Sequence, residues 1–253
     1  MTPNPSDVLS SPSPSRVQRV RHELKRREVE VVRVEAISPH VRSITFTGEA
    51  LAGFVSASFD DHVKFMLDTG GAQPVGRDYT PRRFDAAARE LTIEFALHGD
   101  GPVASWAAQA QPGQRVSIGG PRGSFIIPVD YAWHLLIGDE TALPAIARRL
   151  EELPAGASVQ VIAQVAEAAD RRSFGGVAKV DVQWVEQPGQ LLAAVQALTL
   201  PAGEGYAWCA GEAGAMAAIR RVLVDEKGHD RHAIRAAAYW KRGAIAHHEN
   251  LED

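Results

Sequence analysis

The hydrophobic period of this chain changes near residue 131, and that change limits the folds open to it. Upstream, the clearest segment has Leu91, Ile93, Phe95 and Leu97 alternating with Thr92, Glu94 and Ala96, the period of two of a half-buried strand. Valine-rich residues 28–37 form another strand, and their alternation changes phase between Val31 and Val32, which predicts a bulge or burial on both faces. A strand beginning near Val41 puts Ile44 and Phe46 on one face. Residues 61–68 and 76–84, separated by a Gly-Gly turn, and a short run over 115–118 bring the count to five or six. With one short helix over 104–110, this pattern predicts a small antiparallel barrel.

Downstream, residues 134–137 are almost wholly apolar and end at Gly138, as a strand buried on both faces requires. Leu143, Ile146, Ala147 and Leu150 fall at i, i+3, i+4 and i+7, one apolar face of a helix. Strands over 159–165, 180–184, 206–210 and 234–239 alternate with further helices over 190–198 and around Met216, Ile219 and Leu223. Such alternation builds a parallel sheet. The expected architecture is therefore two-domain. A Ser/Pro-rich disordered tail over residues 1–16 leads to an N-terminal antiparallel β-barrel over 17–130. An α/β domain with a parallel sheet over 131–253 follows, joined near residues 128–131.

Composition removes several functions. Acidic residues outnumber basic ones by 31 to 27, for a net charge of −4, which argues against a nucleic-acid partner. The single cysteine, Cys209, excludes an intrachain disulfide and an all-cysteine iron–sulfur cluster. Redox chemistry must then rest on an organic cofactor or on histidine and carboxylate ligands. No apolar run reaches membrane-span length, and residues 1–15 lack the apolar centre of a secretory signal, so a cytoplasmic protein is expected. The basic run Arg16, Arg19, Arg21, Lys25, Arg26 and Arg27 reads as a solvated entry to the first long strand. The pair His247-His248 reads as exposed, and no metal site is expected.

Two motifs could carry chemistry. In Arg77-Asp78-Tyr79-Thr80-Pro81-Arg82, a guanidinium suits phosphate oxygens, a tyrosine ring can cover an apolar ring system, and a threonine hydroxyl can bond a ring nitrogen. On a flat strand, 77 and 79 share a face and 80 opposes them unless the strand bends. The turn His98-Gly99-Asp100-Gly101-Pro102 then opens a helix, whose free amides suit an anion. Taken singly, each also fits an ordinary strand end or a capped surface helix.

With Pro112-Gly113, Gly119-Gly120-Pro121-Arg122-Gly123, Gly138-Asp139-Glu140-Thr141-Ala142-Leu143-Pro144-Ala145, Ala210-Gly211-Glu212 and Tyr239-Trp240-Lys241-Arg242-Gly243, the set resembles the siderophore-interacting protein family over roughly residue 17 to the end. These are flavin-dependent ferric-siderophore reductases on a ferredoxin-reductase-like scaffold. The resemblance implies FAD in the barrel, touched by Arg77, Tyr79 and Thr80, with Tyr79 and Thr80 as the catalytic pair. His98, Ala104 and Ser105 would line the rest of the FAD site and His62 would be a further contact, although both histidines equally suit structural roles. The turn holding Gly138, Asp139 and Thr141 would take NADPH or NADH at the end of the first parallel strand, where open α/β sheets bind ligands. Arg171 and Arg172 either hold a 2′-phosphate or are an exposed loop pair. Lys64, Lys241 and Arg242 would line a cationic cleft for an anionic ferric siderophore, or equally a protein-docking surface. Cys209, at a strand end facing the expected nicotinamide, reads as a buried thiol. The implied reaction passes electrons from NAD(P)H, or from ferredoxin, through FAD to the ferric siderophore in a monomer. A reductase serving another acceptor and a non-redox siderophore-binding module are the alternatives.

Overall fold

The computed structural model describes residues 16–97, 101–187, 189–243 and 249–251. The tail over residues 1–15, His98 and the His247-His248 pair lie outside the described residues.

The first half contains β1 (Gln18–Arg21), β2 (Arg26–Ser38), β3 (Val41–Thr47), β4 (Val63–Leu67), β5 (Val75–Tyr79), β6 (Arg83–Asp85), β7 (Glu90–Ala96), helix α1 (Pro102–Ala108), β8 (Arg115–Gly119) and β9 (Gly123–Ile126). Seven strands form one antiparallel sheet in the order β5-β4-β8-β2-β3-β7-β6, curled into a half-barrel, while β1 and β9 pair separately. Val29, Val31, Ile44, Phe46, Phe65, Ile93 and Phe95 fill its concave side, which α1 covers through Val103 and Ala107. The register of β2 against β3 shifts between Val31 and Arg33, so the bulge expected from the phase change is present. Residues 76–84, read as one strand, are two: β5 stops at Tyr79 and β6 starts at Arg83, on either side of Pro81. A proline has no N–H to give a ladder.

The second half runs β10 (Trp133–Gly138), α2 (Leu143–Glu152), β11 (Ser158–Gln164), β12 (Lys179–Val185), α3 (Gln190–Ala197), β13 (Gly205–Glu212), α4 (Ala213–Arg221), β14 (Ile234–Trp240) and β15 (Glu249–Asn250). The sheet order is β12-β11-β10-β13-β14-β15, parallel except for β15. Leu136, Trp208 and Ala210 face a core shared with α2 and with Phe59 and Ile127 of the first half. Leu135, Ile137 and Cys209 face the opposite core, shared with α3 and α4. From β10 the chain builds outward through β11 to β12, then returns to place β13 on the other side of β10. The C-terminal ends of β10 and β13 are thus a topological switch point.

Polar side chains lock the two sheets together. Trp208 Nε1 donates to Asp60 Oδ1 at 2.9 Å, and Arg235 Nε is ion-paired to Asp60 Oδ2. Arg148 Nη1 donates to Ser56 Oγ at 2.8 Å and to the Pro81 carbonyl at 2.9 Å. Arg172, read as part of an exposed loop pair, is instead half-buried with its Nη1 on Glu94 Oε2 at 2.5 Å, while Arg171 Nη2 holds Glu186 Oε1 at 2.5 Å. Both guanidiniums are thus ion-paired to carboxylates of this chain.

Candidate functional site

Strand β5 presents Arg77 and Tyr79 on the concave face, opposite Phe65 and Val63 of β4. The Tyr79 ring lies 4.4 Å from that of Phe95 and 6.0 Å from that of Phe65, and Trp106 of α1 is 5.1 Å from Phe65. Burial pushes the Tyr79 hydroxyl far above its ordinary range, so it stays neutral. Arg77 Nη1 donates to the Gly76 carbonyl at 2.8 Å. Among the described residues no carboxylate is ion-paired to Arg77, because its neighbour Asp78 binds Lys64 instead. Thr80 falls just outside β5, buried, and lies near Tyr239 of β14, whose ionisation it influences. Thr80 is thus placed where the first sheet meets the second.

Helix α1 starts at Pro102 after Gly101, and among the described residues no side chain caps it. Ala104 is half-buried and Ser105 exposed on its first turn. His62 is half-buried at the entry to β4. An aromatic-lined face, a guanidinium without a carboxylate partner and uncapped helix amides together fit a flavin bearing a pyrophosphate.

At the switch point, Gly138 is dictated by packing. A Cβ there would come within 2.3 Å of the Ala142 Cβ and 2.8 Å of the Ala210 carbonyl oxygen. Asp139, expected among the nucleotide contacts, has both oxygens engaged inside the protein. Thr141 N and Oγ1 donate to Oδ1 at 3.0 and 2.5 Å, while Glu212 N and Trp240 Nε1 donate to Oδ2 at 2.9 and 2.8 Å. Burial pushes its carboxyl up, against the pull of those four bonds. Asp139 thus ties the ends of β10, β13 and β14 together, and Thr141 is half-buried at the same edge. The neighbouring Glu140 is pushed up to about 7 by burial and by Asp139.

Lys64 projects from the outer face of β4, with its Nζ 2.7 Å from Asp78 Oδ1. Lys241 and Arg242 are exposed where the chain leaves β14, and the Arg242 amide donates to Glu212 Oε1 at 3.4 Å. Cys209 does not face a nicotinamide crevice. It points into the α3–α4 core, where burial pushes its thiol up to about 12, leaving it inert.

Sequence reasoning missed the buried group formed by Asp60, Trp208 and Arg235, with Tyr239 close by. One signal was present: Arg235 interrupts the otherwise apolar β14, and a cation in such a strand needs a buried partner.

Residues 131–243 match the family described as Siderophore-interacting protein, and residues 30–75 and 68–125 match the Siderophore-interacting FAD-binding domain. The chain is 36% identical over 250 residues to the NADPH-dependent ferric-chelate reductase of Escherichia coli, covering 90% of this chain and 98% of that protein. It is 32% identical over 253 residues to ferric vibriobactin reductase ViuB of Vibrio cholerae, covering 88% and 93%. Its structure superimposes on a siderophore utilization protein from T. fusca with a TM-score of 0.86 at 36% identity, covering 91% of this chain and 98% of that one. For a ferredoxin reductase of carbazole 1,9a-dioxygenase the TM-score is 0.68 at 21% identity, covering 86% and 70%, a likeness of fold. Half-barrel and parallel sheet each carry their own match, in the order that the sequence motifs follow, and the chain belongs to the siderophore-interacting protein family.

Proposed function

We propose that this protein is a flavin-dependent reductase that takes electrons from NAD(P)H and delivers them to Fe(III) held in a siderophore, releasing Fe(II) in the cytoplasm. The observation that carries this reading is Arg77, a guanidinium without a carboxylate partner beside the Tyr79 ring, within the part of the chain that matches an FAD-binding domain. FAD, when bound, supplies the conversion of a hydride into single electrons. The protein's own part is positional. Arg77 and the amides of α1 neutralise the pyrophosphate, Tyr79 offers a neutral ring face, and Thr80 stands at the junction of the two sheets, near Tyr239.

The switch-point crevice at Gly138 and Thr141 receives the pyridine nucleotide, with Asp139 shaping its floor. NADPH is the favoured donor, in line with the name of the Escherichia coli relative. Lys64, Lys241 and Arg242 raise the local concentration of an anionic ferric siderophore. Electron transfer to the metal asks for no general acid–base pair acting on the substrate, and hard oxygen donors hold Fe(II) far less firmly than Fe(III), so reduction frees the iron.

The test compares NADPH, NADH and reduced ferredoxin as donors to the FAD-loaded protein under anaerobic conditions, in parallel with two variants. Arg77→Ala loses flavin on purification. Lys64→Ala keeps flavin and its reduction rate but shows a raised KM for the ferric siderophore. Flavin retained at the wild-type level in Arg77→Ala contradicts the assignment.

A further inference from the structure

At the end of the half-barrel where β2 begins, a cavity of about 240 Å³ opens between the β1–β2 turn, the segment around Gly53 and Val55, and the Gly120-Pro121 loop. Its charge is one-sided. Arg21, Lys25 and Arg27 line it, with His22, against the single carboxylate of Glu23, which is already bound to Lys25 Nζ at 2.8 Å.

Arg27 is the unusual member. It sits on the concave side of β2, in phase with the core residues Val29 and Val31, and is only 5% exposed. Its guanidinium lies 5.3 Å from the centre of the Phe54 ring. Nη1 donates to the carbonyls of Gly120 at 3.0 Å and Lys25 at 3.2 Å, while Nε is buried without any acceptor. Among the described residues no carboxylate is ion-paired to it. A guanidinium taken out of water without a counter-charge is costly, and burial pushes it down from its ordinary value. Arg82 and Arg172 also leave one buried donor without a hydrogen bond, but each of them holds a carboxylate. Arg27 has an incomplete set at the wall of a cationic cavity. Val55, 48% exposed, lines the cavity, and Leu24, 60% exposed, lies beside Gly120, so two exposed apolar side chains stand among the charged ones.

We propose that this cavity is an anion-binding site, separate from the flavin and nucleotide sites, for a small oxyanion that carries an apolar group: an organic phosphate or carboxylate. Arg27 supplies the desolvated cation, Arg21 and Lys25 the long-range attraction, and Leu24 and Val55 the contact for the apolar part. The site is distinct from the proposed siderophore cleft. Lys64 and Arg26 flank Gly119 on the outer face of the sheet, whereas Arg27 points inward.

The test uses FAD-loaded protein, so that the pyrophosphate site is filled, and follows backbone amide shifts while titrating phenyl phosphate, benzoate and inorganic phosphate. The site predicts saturable shifts at residues 21–25, 53–55 and 120, with phenyl phosphate or benzoate binding more tightly than inorganic phosphate. Whichever of the two aromatic probes binds better identifies the acid group. Arg27→Gln weakens binding at least tenfold. Should that variant fail to fold, the exposed double variant Arg21→Gln/Lys25→Gln gives the same loss, and Lys64→Gln leaves affinity unchanged. The proposal is overturned if none of the three probes gives saturable shifts or if the shifts map to residues 77–80 or 138–141 instead. Equal binding by the double variant, or loss of binding in Lys64→Gln, overturns it too.

Discussion

The indole of Trp208, in the middle of the parallel sheet, donates its N–H to Asp60, which comes from the half-barrel 148 residues earlier in the chain. The other oxygen of Asp60 holds Arg235, whose guanidinium lies 4.2 Å from the centre of the Phe125 ring. One buried carboxylate thus anchors two residues of the second sheet to the first. Asp60→Ala leaves Arg235 buried without its counter-charge, a loss of about 3–5 kcal/mol. Chemical denaturation followed by tryptophan fluorescence measures it. A loss below about 1 kcal/mol, the range of exposed ion pairs, would show that the pair does not secure the interface.

Asp139 makes a similar junction at the other end of the sheet. Its four donors come from Thr141 in the loop after β10 and from the ends of β13 and β14, so Asp139→Asn turns an N–H towards groups that themselves donate. The expected cost is about 1–3 kcal/mol. FAD content should be retained while affinity for the pyridine nucleotide falls, as read by equilibrium titration. Unchanged nucleotide affinity would remove the crevice from the account.

A third contact between the sheets depends on pH. Asp170, in the connection between β11 and β12, accepts from Ser38 Oγ at 2.6 Å and lies 2.8 Å from His40 Nδ1, with Glu167 Oε1 3.4 Å from the same nitrogen. The hydrogen bond to Asp170 raises the His40 pKa above its ordinary 6.5. Burial acts to raise Asp170, but its bonds to Ser38 and His40 outweigh that and bring it below 3.8. The histidine's contribution is complete below 6.5 and fades as pH rises through its raised folded value. The aspartate's is complete above 3.8 and fades as pH falls through its lowered one. Wild-type stability relative to His40→Gln should therefore be greatest between these limits and shrink above neutrality. A difference that does not vary with pH would refute the charged pairing.

Cys209 should be silent. Buried against α3 and α4 with its thiol pushed up to about 12, it should react with a thiol reagent only as fast as the protein opens. Cys209→Ala should keep its flavin reduction rate. Rapid labelling of the native protein, or lost reduction, would place the thiol in the crevice.

These contacts mark how far the sequence could be read. Alternation at Leu91–Leu97 and at Val159–Val165 was legible because each strand meets its packing layer with a regular period. Strand β1, Gln-Arg-Val-Arg, is exposed throughout and owes its form to pairing with β9 more than a hundred residues away. Arg77, Tyr79 and Thr80 stood out as a motif, but the approach of Thr80 to Tyr239 did not, since no local pattern encodes a proximity across 159 residues. Asp139 was legible as a site residue. That it spends its carboxylate internally follows from Trp240 and the Glu212 amide, which only the folded sheet brings beside it.

The most direct test of the central claim is the visible spectrum of the FAD-reconstituted protein under anaerobic conditions, first with NADPH and then with a ferric siderophore and a ferrous chelator. Flavin absorbance should bleach on the first addition. On the second it should return, with about two ferrous ions trapped per flavin, as a two-electron cofactor requires. Protein that takes up no FAD, or whose reduced flavin keeps its electrons when the ferric siderophore is added, would contradict it.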